Sequence, residues 1–320
     1  MAQRIADSGF SDWKPDRLPD LAGKTYVITG GNSGIGLEAA RMLRKAGANL
    51  VLACRSIDKA NAAKRDLAGT SPEGGTPGDI DLIVVDLSDL ASVRTAAEAV
   101  RAAHPRIDGL VNNAGIMQTP PQKTKDGFEL QFGTNHLGHF LWTSLLIDPV
   151  EAADGRVVVV SSIAHKYGRI HFDDLMLTSG YTPSRAYFQS KLANLMFAFE
   201  LDRRLKASGC KAVAIACHPG YSGTNLQSTG PRGILNLVYK ALNPLLSQSA
   251  EAGAIPTVLA AAGPEARRGA YYGPQKMSEA RGPVGDAMVE DRALDEDAAE
   301  RLWSASEELI GEPFRMPAKV

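Results

Sequence analysis

The stretch that decides the fold is Tyr26-Val-Ile-Thr-Gly-Gly-Asn-Ser-Gly-Ile-Gly36, and an amphipathic run, Leu37 to Ala46, follows it. A strand, a glycine turn and a helix N-terminus in this order form an anion site, because free backbone N–H groups and the positive end of the helix dipole point at the ligand. We expect Gly30 to end the strand, Gly34 to let a phosphate approach the backbone, and Gly36 to let the helix pack on the sheet. The stretch therefore predicts dinucleotide binding, which its context favours over an ordinary strand-to-helix turn.

Further along the chain, apolar strand-like runs alternate with amphipathic helical runs. The later predicted strands cover 49–54, 80–85, 107–111, 156–160, 212–216 and 270–273, and the later predicted helices cover 57–67, 89–103, 128–146, 184–207, 250–262 and 293–310. Strands that are apolar on both faces require a parallel sheet with helices on both sides, here a doubly wound, mostly parallel α/β sheet of about seven strands. We predict a lead-in over residues 1–22 and a single Rossmann-fold domain over residues 23–320.

Composition and charge narrow the class of protein. The formal net charge of −1 gives no electrostatic reason to expect nucleic acid as a partner, and 44% hydrophobic residues supply a core. The N-terminus lacks the apolar run of a signal peptide, and no stretch approaches the roughly 18 apolar residues of a transmembrane helix. Cys54, Cys210 and Cys217 are odd in number, and two lie in strand-like runs. We interpret them as free thiols of a reducing compartment, which makes the cytoplasm the predicted location.

The end of the second strand indicates which dinucleotide binds. An NAD-binding sheet usually presents an Asp or Glu to the adenosine ribose at this position, but here Cys54 is followed by Arg55. Because a guanidinium can hold a 2′-phosphate in a bidentate fork, the sequence favours NADP(H). NAD(H) stays an alternative, since Arg55 can also be a solvated loop cation and Asp58 lies nearby. Asp86 and Leu87 follow the third strand and are candidates for the adenine edge, although an Asp before a helix is commonly only a cap.

Tyr187-Phe-Gln-Ser-Lys191 places a phenol and an ammonium on one face of a helix. A free tyrosine has a pKa near ~10, and an adjacent cation lowers it. A pKa of about 7 needs roughly 4 kcal/mol, which a lysine and a positively charged nicotinamide ring can together supply. Such a tyrosine gives a proton to a carbonyl oxygen as hydride arrives, or takes one from an alcohol as hydride leaves. Ser162, which follows the fifth strand, can hydrogen-bond the same oxygen.

Five ordered motifs together resemble the short-chain dehydrogenase/reductase family over about residues 22–225. They are Thr29 to Gly36, Asn112 to Gly115, Ser161-Ser162, Tyr187 to Lys191 and Pro219-Gly220. The long gap between serine and tyrosine, filled by Ala164 to Pro183, departs from the shorter family pattern. With Asn135-His-Leu-Gly-His-Phe140 and Ser190-Lys-Leu-Ala-Asn194, it is similar to the retinol-dehydrogenase-like and protochlorophyllide-reductase-like branches.

The resemblance implies a role for each matching residue. Ser162, Tyr187 and Lys191 match the catalytic triad, and Asn135 matches a fourth member that orders a water and a proton relay towards the lysine. The choice of Ser162 over Ser161 rests on the family alignment alone. The implied cofactor-binding residues are Gly30, Asn32, Ser33, Gly34, Ile35, Gly36, Arg55, Asp86, Leu87, Asn113, Ala114, Gly115, Tyr187, Lys191, Pro219, Gly220 and Thr224. Asn113 would also support the sheet, and Thr224 would contact the pyrophosphate or carboxamide side of the cofactor.

Four histidines are candidates for other chemistry. His136 and His139 stand at helical spacing, but no Cys or carboxylate cluster completes a metal-ligand set, and we expect them to pack in a helix core. His165 and His171 fall in the insertion before Tyr187, and we interpret them as loop residues that could line the pocket, rather than as acid–base groups.

The sequence predicts an NADP(H)-dependent oxidoreductase that interconverts the carbonyl and alcohol of a hydrophobic small molecule, such as a retinoid-, steroid- or long-chain aldehyde- or ketone-like compound. Reduction of a conjugated C=C bond and a non-catalytic NADP(H)-binding module are the alternatives. The apolar stretch 233–246 is favoured as part of a substrate lid over about 221–247, with a core helix and a membrane-surface contact as alternatives. A homodimer and a homotetramer both stay open.

Overall fold

Eight strands form one sheet in the computed structural model, which describes residues 2–72, 75–221 and 248–317. The strands are β1 (Thr25–Thr29), β2 (Asn49–Cys54), β3 (Ile80–Val84), β4 (Gly109–Asn112), β5 (Arg156–Val160), β6 (Val213–Cys217), β7 (Tyr271–Lys276) and β8 (Arg281–Asp286). Their order is β3-β2-β1-β4-β5-β6-β7-β8, and every neighbouring pair is parallel except β7 and β8. The predicted doubly wound α/β sheet is confirmed, with one strand more than the seven expected.

The additional strand is β8, which pairs antiparallel with β7 at the edge of the sheet. Its sequence, Arg-Gly-Pro-Val-Gly-Asp, contains two glycines, a proline and a single large apolar residue, Val284. Proline in a sheet is confined largely to edge strands, since it cannot donate to the ladder. A strand of this composition carries no apolar pattern, and the sequence analysis therefore missed it.

Helices cover both faces of the sheet. They are α1 (Gly34–Lys45), α2 (Ile57–Ala68), α3 (Leu90–Ala103), α4 (Leu130–Phe132), α5 (Gly138–Ala152), α6 (Pro183–Ala207), α7 (Ala250–Ala262) and α8 (Glu296–Ile310). The helices α1, α2 and α7 share one core with one face of the strands, and α3, α5, α6 and α8 share the other. Neighbouring residues of β1 divide between these cores, because Val27 faces one and Tyr26 and Ile28 face the other. Burial on both faces explains why the central strands are continuously apolar.

The helix predicted over 128–146 is interrupted. A π-helical turn, Gly133–Leu137, separates α4 from α5 and contains Asn135. Gly138 follows the turn, and a Cβ at this position would lie 2.4 Å from the backbone oxygen of Leu87. The close approach of α5 to the segment after β3 therefore requires a glycine. Single π-turns inside α-helices frequently occur at functional sites.

The N-terminal lead-in packs along the edge of the sheet. Gln3 bridges to Val289, and the backbone N–H of Trp13 donates to the oxygen of Val284 in β8 at 3.0 Å. The Trp13 side chain is only 1% exposed. The lead-in therefore packs against the β8 edge of the sheet and contributes Trp13 to the core. The division of the chain at residue 22 stays a prediction.

Two predicted features lie outside the described residues, namely Thr224 and the apolar stretch 233–246. Within residues 2–72, 75–221 and 248–317, we find no helix that is both long enough and apolar enough to cross a membrane.

Candidate active site

A cavity of about 1050 Å³ opens at the carboxyl ends of the parallel strands, where an open α/β sheet binds its ligands. The predicted residues that line it are Gly30, Asn32, Ser33, Gly34, Ile35, Gly36, Arg55, Asp86, Leu87, Asn113, Ala114, Gly115, Ser162, Tyr187, Lys191, Pro219 and Gly220. Asn135 is buried behind this wall. The structure therefore brings these predicted residues to one cavity, whereas Asn135 lies outside its lining and Thr224 lies outside the described residues.

The glycine turn has the backbone that the sequence pattern requires. Gly30 and Gly34 have φ angles of +67° and +54°, a region that other residues rarely adopt. A Cβ on Gly36 would lie 2.5 Å from both the side-chain nitrogen of Asn113 and the oxygen of Gly30. The helix α1 begins at Gly34, and its N-cap residue Ser33 makes no capping hydrogen bond with its side chain. The turn thus presents the backbone N–H groups of a helix N-terminus to the cavity, which suits a phosphate group.

Asn113 braces this turn from the neighbouring strand end. Its side-chain nitrogen donates to the backbone oxygen of Thr29 at 2.8 Å. The backbone N–H groups of Asn113 and Ala114 donate to the Thr29 hydroxyl at 2.9 and 3.0 Å. The ends of β1 and β4 are therefore held together directly below the cofactor cavity.

The end of β2 presents cations to the cavity. Arg55 is exposed and lines the wall, and burial raises the pKa of the preceding Cys54 thiol to about 12, which keeps it neutral. Lys59 also lines the cavity from the first turn of α2. The sequence analysis missed Lys59, although the spacing Arg-x-x-x-Lys across a predicted helix start could have indicated it. Asp58 is exposed and is not among the described lining residues.

Asp86 has a local structural role as well as a position in the wall. One carboxylate oxygen accepts hydrogen bonds from the backbone N–H and the hydroxyl of Ser88, at 2.9 and 2.6 Å. The N-cap of α3 is Asp89, whose side chain accepts from Ala91 and Ser92. Asp86 therefore does not cap α3, and its turn with Ser88 is compatible with its place beside Leu87 in the cavity wall.

Tyr187 and Lys191 project from one face of α6, as the spacing predicts. The Lys191 Nζ lies 6.0 Å from the centre of the Tyr187 ring and donates to the backbone oxygen of Val160 at 3.0 Å. Lys191 is only 3% exposed. The helix is fixed at its start by the Thr182 side chain, which accepts from the N–H of Arg185. The buried lysine thus ties α6 to the end of β5.

Burial dominates the electrostatics of this pair. It raises the pKa of Tyr187 above its usual value, opposed by a hydrogen bond with Ser162. Burial also lowers the pKa of Lys191 to about 8. The direction for Tyr187 is opposite to the lowering that the sequence analysis expects from a neighbouring lysine, because the loss of hydration outweighs the other contributions in the protein alone. The Tyr187 hydroxyl is consequently a protonated donor at neutral pH.

The two serines after β5 have different partners. The Ser161 hydroxyl donates to the backbone oxygen of Lys191 at 2.7 Å, which fixes it to α6. The Ser162 hydroxyl accepts from the N–H of Ala164 at 3.1 Å, lines the cavity together with Tyr187, and lowers the pKa of that phenol. The geometry therefore favours Ser162 as the partner of the phenol, a distinction that the sequence alone could not make.

Asn135 holds two parts of the site together. Its side chain exchanges two hydrogen bonds with the backbone of Ile116, both at 2.9 Å, and donates to the Ser190 hydroxyl at 3.0 Å. Ser190 in turn donates to the backbone oxygen of Tyr187 at 2.8 Å. The amide therefore connects the loop after β4 with α6. With these partners, its side chain has little remaining capacity to bind water.

The four histidines that the sequence offers as candidates lie in different surroundings. His136 and His139 are buried in the helical core, and burial lowers their pKa values to about 3 and 4. His165 is not a simple loop residue, because it is fully buried and its Nδ1 lies 2.8 Å from the backbone oxygen of Ser162. His171 contacts the guanidinium of Arg185. The part of the chain that the structure describes contains no cluster of three or more His, Cys, Asp or Glu side chains suited to a metal ion.

The cavity wall also contains apolar and aromatic side chains next to the predicted site residues. Side chains that the sequence analysis did not single out line it, namely Met117, Gln118, Ile163, Ala164, Tyr167, Ser184, Phe188 and Tyr221. The rings of Tyr167 and Phe188 lie 5.6 Å apart, and Tyr167 is 73% exposed. The insertion before Tyr187 therefore supplies part of this wall. An exposed aromatic residue beside a catalytic tyrosine has no local sequence signal.

Comparison with known proteins identifies the same family that the sequence motifs resemble. The family model of short chain dehydrogenases matches residues 24–234. Retinol dehydrogenase 14 of Homo sapiens is 41% identical over 307 residues, which cover 91% of this chain and 87% of that protein. Retinol dehydrogenase 12 of Homo sapiens is 38% identical over 293 residues, with the same shares of 91% and 87%.

Solved structures agree with this relationship. A crystal structure of an uncharacterized protein from Mycobacterium paratuberculosis is 40% identical with a TM-score of 0.79, and the match covers 96% of this chain and all of that chain. A protein from Beutenbergia cavernae, described as an NAD(P)-dependent gluconate 5-dehydrogenase and solved with bound NADP, is 25% identical with a TM-score of 0.61. That match covers 79% of this chain and 95% of the other. The chain belongs to the retinol-dehydrogenase-like branch of the short-chain dehydrogenase/reductase family, and it is an oxidoreductase that acts on CH–OH and C=O groups with a nicotinamide cofactor.

Proposed function

We propose that this protein is an NADP(H)-dependent enzyme that interconverts the carbonyl and the alcohol of a hydrophobic small molecule. One observation carries the proposal. The phenol of Tyr187 shares the wall of one cavity with the Ser162 hydroxyl and with the glycine turn, and it lies one helical turn from the buried Lys191. A protonated phenol beside a second hydroxyl suits the oxygen of a carbonyl, which gains negative charge as hydride reaches its carbon.

The residues of the cavity fit a nicotinamide dinucleotide, which supplies the hydride when bound. The turn at Gly30, Gly34 and Gly36 would hold the pyrophosphate through backbone N–H groups. In reduction, the phenolic proton of Tyr187 passes to the substrate oxygen as the new C–H bond forms, so the product is the alcohol. Ser162 donates a hydrogen bond to that oxygen while its charge develops. In oxidation the same steps occur in reverse, and the Tyr187 oxygen accepts the proton of the alcohol.

Lys191 and Asn135 would support this proton transfer from behind the wall. The ammonium of Lys191 lies near the ring of Tyr187 and would stabilise the phenolate that remains after the proton has left. The Asn135 side chain is occupied by Ile116 and Ser190, so its contribution to a relay would come through its backbone oxygen and through the position of α6.

The preference for NADP(H) rests on the charges at the end of β2. Arg55 and Lys59 both line the cavity where an NAD-specific sheet presents a carboxylate. Two cations can bind the 2′-phosphate through charge-assisted hydrogen bonds, whereas a carboxylate would repel it. The related protein from Beutenbergia cavernae contains NADP, which supports this assignment.

The hydrophobic substrate class is supported by the wall and by the relatives. Met117, Ile163, Ala164 and Phe188 supply apolar surface next to Tyr187. The relatives from Homo sapiens are named as dehydrogenases of retinol, an apolar alcohol. A cytoplasmic location is part of the same proposal, since the buried Cys54 and Cys217 form no disulfide, as in a reducing compartment. Cell fractionation tests the location.

The test is an initial-rate assay of the purified protein with NADPH or NADH and a panel of apolar aldehydes and ketones. We expect faster oxidation of NADPH than of NADH, with the alcohol as the product. A product reduced at a conjugated C=C bond would favour the first alternative function. Tight NADPH binding without turnover of any panel member would favour the non-catalytic module.

A further inference from the structure

His139 is a buried histidine that the proposed mechanism does not use. It lies in α5, four residues after Asn135, and is only 2% exposed. Its Nδ1 lies 3.0 Å from the backbone oxygen of Asn135, and its Nε2 lies 2.9 Å from the hydroxyl oxygen of Thr29. Thr29 ends β1 just before the glycine turn, whereas Asn135 lies in the π-helical turn behind the catalytic helix. One imidazole therefore spans the cofactor side and the catalytic side of the site.

The partners of His139 fix its tautomer. A backbone oxygen only accepts hydrogen bonds, so Nδ1 must carry the proton that it donates to Asn135. Nε2 of the neutral ring then accepts from the Thr29 hydroxyl, whose alternative acceptor, the oxygen of Val111, is more distant at 3.3 Å. The Thr29 oxygen in turn accepts from the backbone N–H groups of Asn113 and Ala114. The hydrogen bonds run in one direction, from the end of β4 through Thr29 and His139 to Asn135.

We propose that His139 is a positioning residue that couples the glycine turn to Asn135, and that it does so as the neutral tautomer protonated on Nδ1. The coupling rests on the proposed function, because that function assigns both ends to one reaction. At one end, Thr29 holds Asn113, whose side-chain nitrogen lies against Gly36. At the other end, Asn135 holds Ser190 on the catalytic helix. A change at the imidazole would therefore shift the cofactor turn and Tyr187 relative to each other.

The kinetic test compares His139→Leu and His139→Gln with a control in the π-helical turn that precedes α5. His136→Leu is the control, since His136 is equally buried but its Nε2 pairs with the Ser306 hydroxyl, at 2.8 Å. We expect His139→Leu to lower kcat about 100-fold, because a misplacement of about 1 Å costs this much. It should also raise the Kd for NADPH about tenfold, since a buried hydroxyl loses its acceptor.

Glutamine can both donate to Asn135 and accept from Thr29, so His139→Gln should recover most of the lost kcat. His136→Leu should lower the melting temperature as much as His139→Leu, while its kcat and Kd stay within about twofold of wild type. Equal kinetic losses at both positions, in step with lost stability, would overturn the proposal and leave His139 as a packing residue. If His139→Leu does not fold, the glutamine variant and the spectroscopic test below decide.

The spectroscopic test measures the tautomer directly. The chain has six histidines, and ¹⁵N-histidine labelling with a long-range ¹H–¹⁵N spectrum distinguishes Nδ1–H from Nε2–H rings. The resonances that vanish in His139→Gln belong to His139. We expect an Nδ1–H ring that stays neutral from pH 5 to 9, with and without NADPH. An Nε2–H ring, or protonation near pH 6.5, would overturn the proposal. This result needs no substrate, so it is independent of whether the proposed carbonyl chemistry is correct.

Discussion

Tyr187 is the residue whose hydroxyl gains and loses a proton in the proposed reaction. Burial raises the pKa of this phenol, and the Ser162 hydroxyl lines the same cavity wall. Lys191 is held beneath it by the oxygen of Val160. In the proposed reaction, one side chain therefore transfers the proton, and two others, Arg55 and Lys59, select the cofactor.

Substitution Tyr187→Phe removes the proton donor but keeps the ring. We expect kcat to fall about 10³-fold, because a positioned general acid contributes roughly 10² to 10⁴ in rate, while the Kd for NADPH changes less than about twofold. Steady-state kinetics and fluorescence titration measure the two quantities. Tyr181→Phe is the control, since the Tyr181 hydroxyl donates to the oxygen of Thr119, away from the cavity wall. Comparable kinetic losses in the two variants would remove Tyr187 from the proposed role.

Substitution of Arg55 and Lys59 by glutamine tests the phosphate site. Each cation would make a charge-assisted hydrogen bond to the 2′-phosphate, so each variant should raise the KM for NADPH on the order of tenfold while the KM for NADH stays unchanged. Arg65→Gln is the matched control. Arg65 is an exposed cation of α2, the helix that also contains Lys59, and it is not among the residues that line the described cavity. A parallel rise in both KM values would contradict a phosphate-specific role.

At the scale of elements, the N-terminal lead-in carries more of the structure than its polar sequence indicates. Trp13 is buried against β8, and its indole N–H donates to the carboxylate of Glu265 at 2.8 Å. We expect Trp13→Ala to lower the free energy of unfolding by roughly 3–5 kcal/mol, the usual loss for a buried tryptophan, with kcat unchanged at temperatures where the variant is folded. Urea denaturation measures the loss, and Trp13→Phe should recover part of it. An unfolding free energy unaffected by Trp13→Ala would show that the lead-in is dispensable.

The sequence predicted the elements whose apolar side chains recur at a regular spacing. It missed the elements that depend on contacts with other segments of the chain. The parallel strands and α1 carry continuous or amphipathic apolar patterns, and the glycine turn has a fixed spacing. The strand β8 has no such pattern, since its pairing depends on β7 and on the lead-in. The π-helical turn at Gly133–Leu137 follows from the contacts of Asn135 and Gly138 with other segments, which lie far away in sequence.

The residues of the candidate site also fall into those that the sequence could predict and those that it could not. Residues within short motifs, such as Gly36 or Lys191, could be predicted because the chemistry requires their spacing. Lys59, Tyr167 and the role of His165 could not, because each depends on how a helix start, an insertion or a buried turn packs in three dimensions. The direction of the pKa shift of Tyr187 was missed for a related reason, since burial is a property of the fold.

At the scale of the whole molecule, buried neutral histidines link stability to pH. Burial lowers the pKa values of His136 and His139 to about 3 and 4, below the unfolded value near ~6.5. Between these values the unfolded chain binds more protons than the folded one, so stability falls as the pH falls from about 6.5 to 4. The loss is on the order of 3 kcal/mol for each side chain. Melting temperatures across this range check the slope, and His136→Gln should reduce it. A melting temperature that stays constant from pH 6.5 to 4 would contradict the burial of neutral imidazoles.

The most direct measurement of the central claim follows the hydride itself. The purified protein is incubated with an apolar aldehyde or ketone and with NADPH deuterated at C4 of the nicotinamide, in both the 4R and the 4S form, and the product is analysed by NMR and mass spectrometry. We expect an alcohol with deuterium on the carbinol carbon from one of the two forms, and almost none from Tyr187→Phe. Deuterium on the carbon β to an intact carbonyl, or full labelling by the Tyr187→Phe variant, would contradict it.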